Sequence, residues 1–93
     1  MGEEWDWVLA DRAKRELEDL ERDARDRIID KLDEIVDDEW REPPDYLEPL
    51  SGTAHHKLRI GQFRLGCRPD RGEKILYVLR IQKRGGDAYR GDD

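Results

Sequence analysis

The stretch HHKLRIGQFRLGCR, residues 55 to 68, alternates apolar and cationic side chains on both sides of Gly61-Gln62. Alternation with a period of two is typical of strands that cover one face. A pair with glycine first suits the type II′ turn of a two-residue hairpin. If these two residues form the turn, Arg59 lies directly opposite Arg64. The stretch therefore predicts an antiparallel hairpin with one covered apolar face and one exposed cationic face.

A third strand is predicted from KILYVLRIQKR, residues 74 to 84, after a turn at PDRGE, residues 69 to 73. With that turn, we expect Arg64 opposite Val78 and diagonal to Arg80. The cations of three strands then share one face of the sheet. The opposite face, covered by helices, is expected to carry Leu58, Ile60, Phe63, Leu65, Ile75, Tyr77, Leu79 and Ile81.

The amino-terminal half begins with EWDWVLA, residues 4 to 10, whose alternation predicts a short first strand. Asp11 stands where a helix N-cap belongs. A second helix is expected to open at Asp23 or Ala24 and to end before Pro43, since proline interrupts helices. The helical stripes and the three tryptophans are expected in the core: Trp5, Trp7, Ala10, Ala13, Leu17, Leu20, Ala24, Ile28, Leu32, Ile35 and Trp40.

The predicted order is β-α-α-β-β-β, an α+β fold in a single domain, residues 1–93. An antiparallel sheet carries an amino-terminal helical hairpin packed on one face. The connector REPPDYLEPLSGT, residues 41 to 53, is marked by three prolines and one glycine. We expect Tyr46, Leu47 and Leu50 to anchor it to the core.

Composition excludes several classes of protein. The chain has one cysteine, Cys67, so it can form neither an internal disulfide nor a multi-cysteine metal site. His55 and His56 point to opposite sides of a strand, and we expect neither metal nor cofactor. No apolar run approaches a membrane span, and no secretory signal is present. The expectation is a cytoplasmic protein without membrane contact.

Charge is divided unevenly along the chain. Residues 1–48 hold 19 acidic and 8 basic side chains, whereas residues 49–93 hold 5 acidic and 10 basic ones. Such asymmetry predicts an anionic partner for the basic half. The acidic half suits a high-salt cytoplasm or a basic partner, and the composition leaves both open.

The predicted row of arginines contains no acid, and phosphate suits it because a guanidinium group binds two phosphate oxygens at once. RNA also carries its own nucleophile, the 2′-hydroxyl. Cleavage then needs a base, cations beside the phosphate and an acid for the leaving oxygen, without a metal. Lys57, His55 or His56 could supply the base, and Tyr89 could donate a proton or stack on a nucleobase.

The blocks LSG (50–52), HKLRIGQFRL (56–65), ILYVLRIQKR (75–84) and the closing YR (89–90) together resemble the RelE/ParE toxin superfamily. The resemblance covers nearly the whole chain. It implies a fold like that of microbial ribonucleases and a toxin neutralised by a RelB-like antitoxin whose helices wrap it. It further implies a ribosome-dependent endonuclease that cuts mRNA in the A site if the chain is RelE-type.

The resemblance also assigns roles. Lys57 matches the usual general base, although His55 stands where a second lysine is expected and could take the proton instead. Arg64 matches the arginine beside the scissile phosphate, Arg84 a second cation, and Tyr89 the stacking or proton-donating tyrosine. Supporting phosphate contacts are expected from Arg59, Arg68 and Arg80.

Two alternatives stay open. ParE-type members of the superfamily poison DNA gyrase and cut nothing, and the block around Arg59 and Arg64 occurs in both branches. A degenerate toxin that serves only as an antitoxin-binding module is the other reading, since His55 departs from the RelE-type pattern.

Overall fold

The computed structural model describes residues 4–49 and 55–83, which form five strands, two α-helices and a 3-10 helix. Leu50, Arg84 and Tyr89 therefore lie outside the described residues. The elements are β1 (Asp6–Leu9), α1 (Asp11–Glu18), α2 (Arg22–Asp37), the 3-10 helix (Pro43–Tyr46), β2 (Glu48–Pro49), β3 (His56–Ile60), β4 (Phe63–Asp70) and β5 (Ile75–Lys83).

The strands build one sheet in the order β1-β5-β4-β3-β2, and the α+β class is confirmed. Three strand pairs are antiparallel, but β1 pairs parallel to β5, with Asp6 opposite Ile75 and Leu9 opposite Val78. The sequence predicts an antiparallel sheet throughout, and this prediction is wrong for β1. Periodicity within a strand does not encode the direction of a partner about 70 residues away, so the pattern could not show this pairing.

The β3–β4 hairpin has the predicted register. Arg59 lies opposite Arg64, and Lys57 lies opposite Gly66. Gly61 has a φ of 58°, which glycine adopts without steric cost. Gln62, the second residue of the turn, has no positive φ. This agrees with a type II′ turn, in which only the first central residue has one. The alternating pattern and the turn residues agree, so this local prediction is confirmed.

The β4–β5 register differs from the predicted one. Arg64 lies opposite Gln82 rather than Val78, and the register shifts between Gly66 and Cys67. A bulge of this kind inserts a residue and changes which side chains face the core. The buried residues of β5 are accordingly Leu76, Val78 and Ile81. Of the four predicted core positions on this strand, Ile81 is buried, whereas Ile75, Tyr77 and Leu79 are only half-buried.

Both helices cover the apolar face of the sheet with the predicted stripes. Ala13 and Leu17 of α1 join Ile28, Leu32 and Ile35 of α2 in one core with the strand side chains. Each fully buried aliphatic side chain contributes about 1.5–3 kcal/mol. One detail is wrong: Ala10 is the N-cap of α1 and Asp11 is its first helical residue. In that position the Asp11 carboxylate still interacts favourably with the positive end of the helix dipole.

The connector is more ordered than the prolines indicated. It contains the 3-10 helix and β2, while Tyr46 and Leu47 pack against the core as predicted. Helix α2 ends at Asp37, and Trp40 is 90% exposed. Our expectation of a core Trp40 was therefore wrong, because the helical period stops three residues before it.

Candidate nucleic-acid interface

Four cations of the β3–β4 hairpin alternate with its buried side chains, and we call them the basic face: Lys57, Arg59, Arg64 and Arg68. Arg59 also lines an open pocket with carboxylates of α2, among them Asp26 and Asp30. Arg59 and Arg64 are both exposed and lie directly opposite each other. Within residues 4–49 and 55–83, neither makes an ion pair with a carboxylate. Directly opposed like charges are destabilising on a sheet. Two arginines in directly opposed positions suit an anion that bridges their guanidinium groups.

Lys57 is placed on the same face but is not free. Its ammonium nitrogen lies 3.3 Å from the carboxylate of Glu48, and its side chain is only 18% exposed. The contact forms because β2 pairs with β3 and places Glu48 opposite Lys57. Lys57 must leave this ion pair to approach a phosphate, and it must also be neutral to act as a base.

Arg80 lies opposite Gly66 on β5, and its guanidinium Nε donates to Glu16 of α1 at 3.1 Å. The other carboxylate oxygen of Glu16 accepts the backbone N–H of Ile81 at 2.7 Å. Glu16 thus provides a hydrogen-bond acceptor for the backbone of β5 at Ile81, beyond the part of β5 that pairs with β1. Arg80 belongs to this structural contact, which contradicts our expectation of a cation row without acids.

Arg68 lies over the ring of Tyr77, with 4.8 Å between its guanidinium carbon and the ring centroid. The two residues are cross-strand partners. Tyr77 therefore lies on the cationic side of the sheet and not on the covered side. Its half-buried ring adds an aromatic surface beside the basic face, and aromatic rings stack on the bases of unpaired nucleic acid.

The two histidines occupy different environments. His55 is exposed and directly precedes β3, close in the chain to Lys57. His56 lies opposite Cys67, and its Nδ1 is buried without a hydrogen-bond partner in the described part of the chain. His55 thus lies at the surface, while His56 faces the core.

The potential metal ligands and the single cysteine have the following positions. Among the residues that the structure describes, no group of three potential metal ligands comes together. Cys67 is buried on the apolar face, as predicted, and burial raises the pKa of its thiol to about 12. No helix in the described ranges is long and apolar enough to cross a membrane.

Three functional neighbours were missed from the sequence: Glu16, Glu48 and Tyr77. The sequence does contain a sign of the bulge that places Tyr77 on the cationic side. Glycine inside a strand often marks a bulge, and Gly66 adjoins the register shift between β4 and β5. The two glutamates had none, because their partners lie on elements distant in the chain.

A family model describing the ParE toxin of type II toxin–antitoxin systems matches residues 8–88. The chain belongs to this toxin family. The resemblance to the RelE/ParE superfamily is thereby confirmed. No curated protein matches the toxin closely enough to add a relative.

Solved structures share the fold of the toxin. The RelBE2 toxin–antitoxin complex of Mycobacterium tuberculosis matches with a TM-score of 0.75 and 21% identity, over 87% of this chain and 99% of that one. The archaeal RelE–RelB complex of Pyrococcus horikoshii has a TM-score of 0.69 and 18% identity, over 92% and 100%. Isolated RelE of Escherichia coli has a TM-score of 0.67 and 18% identity, over 91% and 89%.

Proposed function

We propose that this toxin is a ribosome-dependent endonuclease that cleaves mRNA in the A site, by attack of a 2′-hydroxyl on the adjacent phosphate. The observation that carries the proposal is the Arg59–Arg64 pair on an exposed face, at a position where like charges oppose each other. A bound phosphate relieves this repulsion, so the pair binds an anion more favourably than two isolated arginines.

The residues of the basic face have the following proposed roles in the reaction. Arg64 holds the scissile phosphate and stabilises the negative charge that grows in the transition state. Arg59 and Arg68 hold flanking phosphates. The 2′-hydroxyl loses its proton to His55 or, once the ion pair with Glu48 opens and the amine is neutral, to Lys57. As the 2′-oxygen bonds to phosphorus, the bond from phosphorus to the 5′-oxygen breaks, and Tyr89 or water protonates the leaving oxygen. Arg84 and Tyr89 complete the proposed site as second cation and stacking tyrosine, and both lie outside the described residues.

An antitoxin is the proposed protein partner, because two of the structures with this fold are RelE–RelB-type complexes. The proposed cellular setting is the cytoplasm, where ribosomes and mRNA are found.

The family description supports a second candidate. It names a ParE toxin, and ParE-type toxins inhibit DNA gyrase without cutting nucleic acid. The ion pairs of Lys57 and Arg80 also suit this reading, since they leave fewer free cations for catalysis. A degenerate toxin that only binds its antitoxin would show neither activity.

The test is cleavage of a defined mRNA on purified ribosomes, with 5′ ends mapped by primer extension over a range of salt concentrations. Wild type is expected to cut in the A site, and Arg64→Ala is expected to cut far less. Arg15→Ala, on the exposed side of α1, is the matched control and should retain cleavage. A gyrase supercoiling assay with the same proteins separates the candidates: inhibition without cleavage favours the ParE-type reading.

A further inference from the structure

Trp40 is presented to solvent by a turn that many contacts hold in place. Asp38 accepts the backbone N–H of Trp40 at 2.7 Å and that of Arg41 at 3.2 Å. The hydroxyl of Tyr46 donates to the other oxygen of Asp38. An aromatic side chain that is 90% exposed on such a turn is unusual, since large aromatic rings normally bury most of their surface.

The turn forms one wall of an open cleft of about 500 Å³, which we call the tryptophan cleft. Trp5 and Trp40 both line it. One arginine, Arg41, also lines it, and its guanidinium carbon lies 4.5 Å from the ring centroid of Tyr46. The remaining charged residues of the lining are six carboxylates: Glu4, Asp37, Asp38, Glu39, Glu42 and Asp45.

Trp5 forms the buried part of the cleft wall. Its side chain is 6% exposed, and its indole N–H has no hydrogen-bond partner within the described ranges. Buried donors are nearly always paired, because an unmade hydrogen bond is costly. The ammonium nitrogen of Lys74 already lies 5.9 Å from the centroid of the Trp5 ring, so the exposed ring of Trp40 is the aromatic face that a partner can reach.

We propose that the tryptophan cleft docks an arginine-bearing segment of a partner protein. A guanidinium group binds the face of tryptophan better than that of any other aromatic side chain, and the surrounding carboxylates attract it further. The same carboxylates repel phosphate, so nucleic acid does not fit. The identification of this partner as the antitoxin rests on the proposed function, whereas the chemistry of the cleft does not.

The cleft is separate from the basic face, since no residue of that face lines it. The toxin can therefore hold RNA on the sheet and a protein segment in the cleft without direct competition. The basic face of a second toxin molecule also carries arginines, so self-association is a distinct outcome that the test must recognise.

The test uses the full chain labelled with ¹⁵N and two synthetic peptides, Ac-GRLLRG-NH2 and Ac-GELLEG-NH2. The three tryptophans give three indole N–H resonances, which Trp40→Phe and Trp7→Phe variants assign. The arginine peptide is expected to shift the resonances of Trp40 and Trp5. The Trp7 resonance should stay in place, because its N–H is bonded to Asp33 at 2.9 Å. The glutamate peptide should shift none.

Matched variants locate the interaction. Trp40→Ala should weaken binding about two- to fivefold, the effect of losing an exposed cation–π contact. Asp37→Asn with Glu39→Gln should weaken it further, whereas Asp23→Asn with Asp30→Asn, an equal charge change elsewhere on α2, should not.

Three results would overturn the proposal. The Trp40 resonance could respond equally to both peptides or to neither. The two double variants could bind equally well. Finally, the resonance could move when the toxin alone is concentrated, which would make a second copy the occupant. None of these measurements uses ribosomes, so failed mRNA cleavage with intact peptide binding would reject the proposed function and leave the docking site standing.

Discussion

Neutralising Arg64 is expected to stabilise the folded toxin. Arg59 and Arg64 are direct cross-strand partners, and neither has a carboxylate partner among the described residues. Opposed like charges on a sheet cost roughly 0.2–1 kcal/mol. Coulomb's law in water gives about 0.5–0.7 kcal/mol for guanidinium groups about 6–8 Å apart. Arg64→Gln, which keeps most of the aliphatic stem, should therefore raise the free energy of unfolding by about 0.5 kcal/mol.

Urea unfolding at low salt measures this gain, and thermal unfolding should show it as a rise of about 2–4 °C. In 1 M salt the Debye length falls to about 3 Å, so the gain should largely vanish. Arg15→Gln removes the same charge from the last turn of α1. There a cation favours the helix dipole, so this control should be neutral or slightly destabilised.

The sign of the change decides the argument. If Arg64→Gln lowers stability as much as Arg15→Gln does, no repulsion is stored on the basic face. The Arg59–Arg64 pair would then be an ordinary solvated surface, and the case for an anion site there would lose its support. Increased stability combined with lost mRNA cleavage is the expected pattern for residues kept for function at the expense of stability.

Three further changes test the fold around the site. Glu16→Ala should lower the free energy of unfolding by roughly 1–3 kcal/mol. It should also speed hydrogen exchange at the Ile81 amide, which loses its acceptor. Gly61→Ala should cost about 1 kcal/mol in urea unfolding because φ is 58°, whereas Gly72→Ala, with no positive φ, should cost less. Burial raises the Cys67 pKa from 9.0 to about 12. The neutral thiol therefore stabilises the fold fully below pH 9, and this contribution is lost as pH rises toward 12; thiol-reagent kinetics should show modification only on unfolding.

Each of these predictions has a contrary result. Unchanged exchange at the Ile81 amide in Glu16→Ala would show that water replaces the carboxylate without cost. Equal stability of the Gly61→Ala and Gly72→Ala proteins would argue against strain at the hairpin turn. Rapid modification of Cys67 at neutral pH, without urea, would contradict a thiol shielded in the core.

Features that depend on neighbours in the chain could be predicted from the sequence. The β3–β4 hairpin joins residues around a single glycine turn, so its period and turn type fix both the register and the exposed position of Arg64. The core stripes of both helices follow from the helical period in the same way. The roles of Arg84 and Tyr89 remain predictions from the resemblance.

Only the tertiary structure decided which charges stay free. Whether Lys57 and Arg80 are available depends on Glu48 and Glu16, and these glutamates reach them through the pairing of β2 with β3 and the packing of α1 on β5. The outward position of Trp40 likewise follows from a turn at Asp38 that is held by Tyr46. Periodicity is a property of consecutive residues, whereas the partner of a charge is set by the packing of distant elements. For that reason the amino-acid sequence determined the faces of this toxin, and the packing of its helices and strands determined which side chains on those faces remain able to bind.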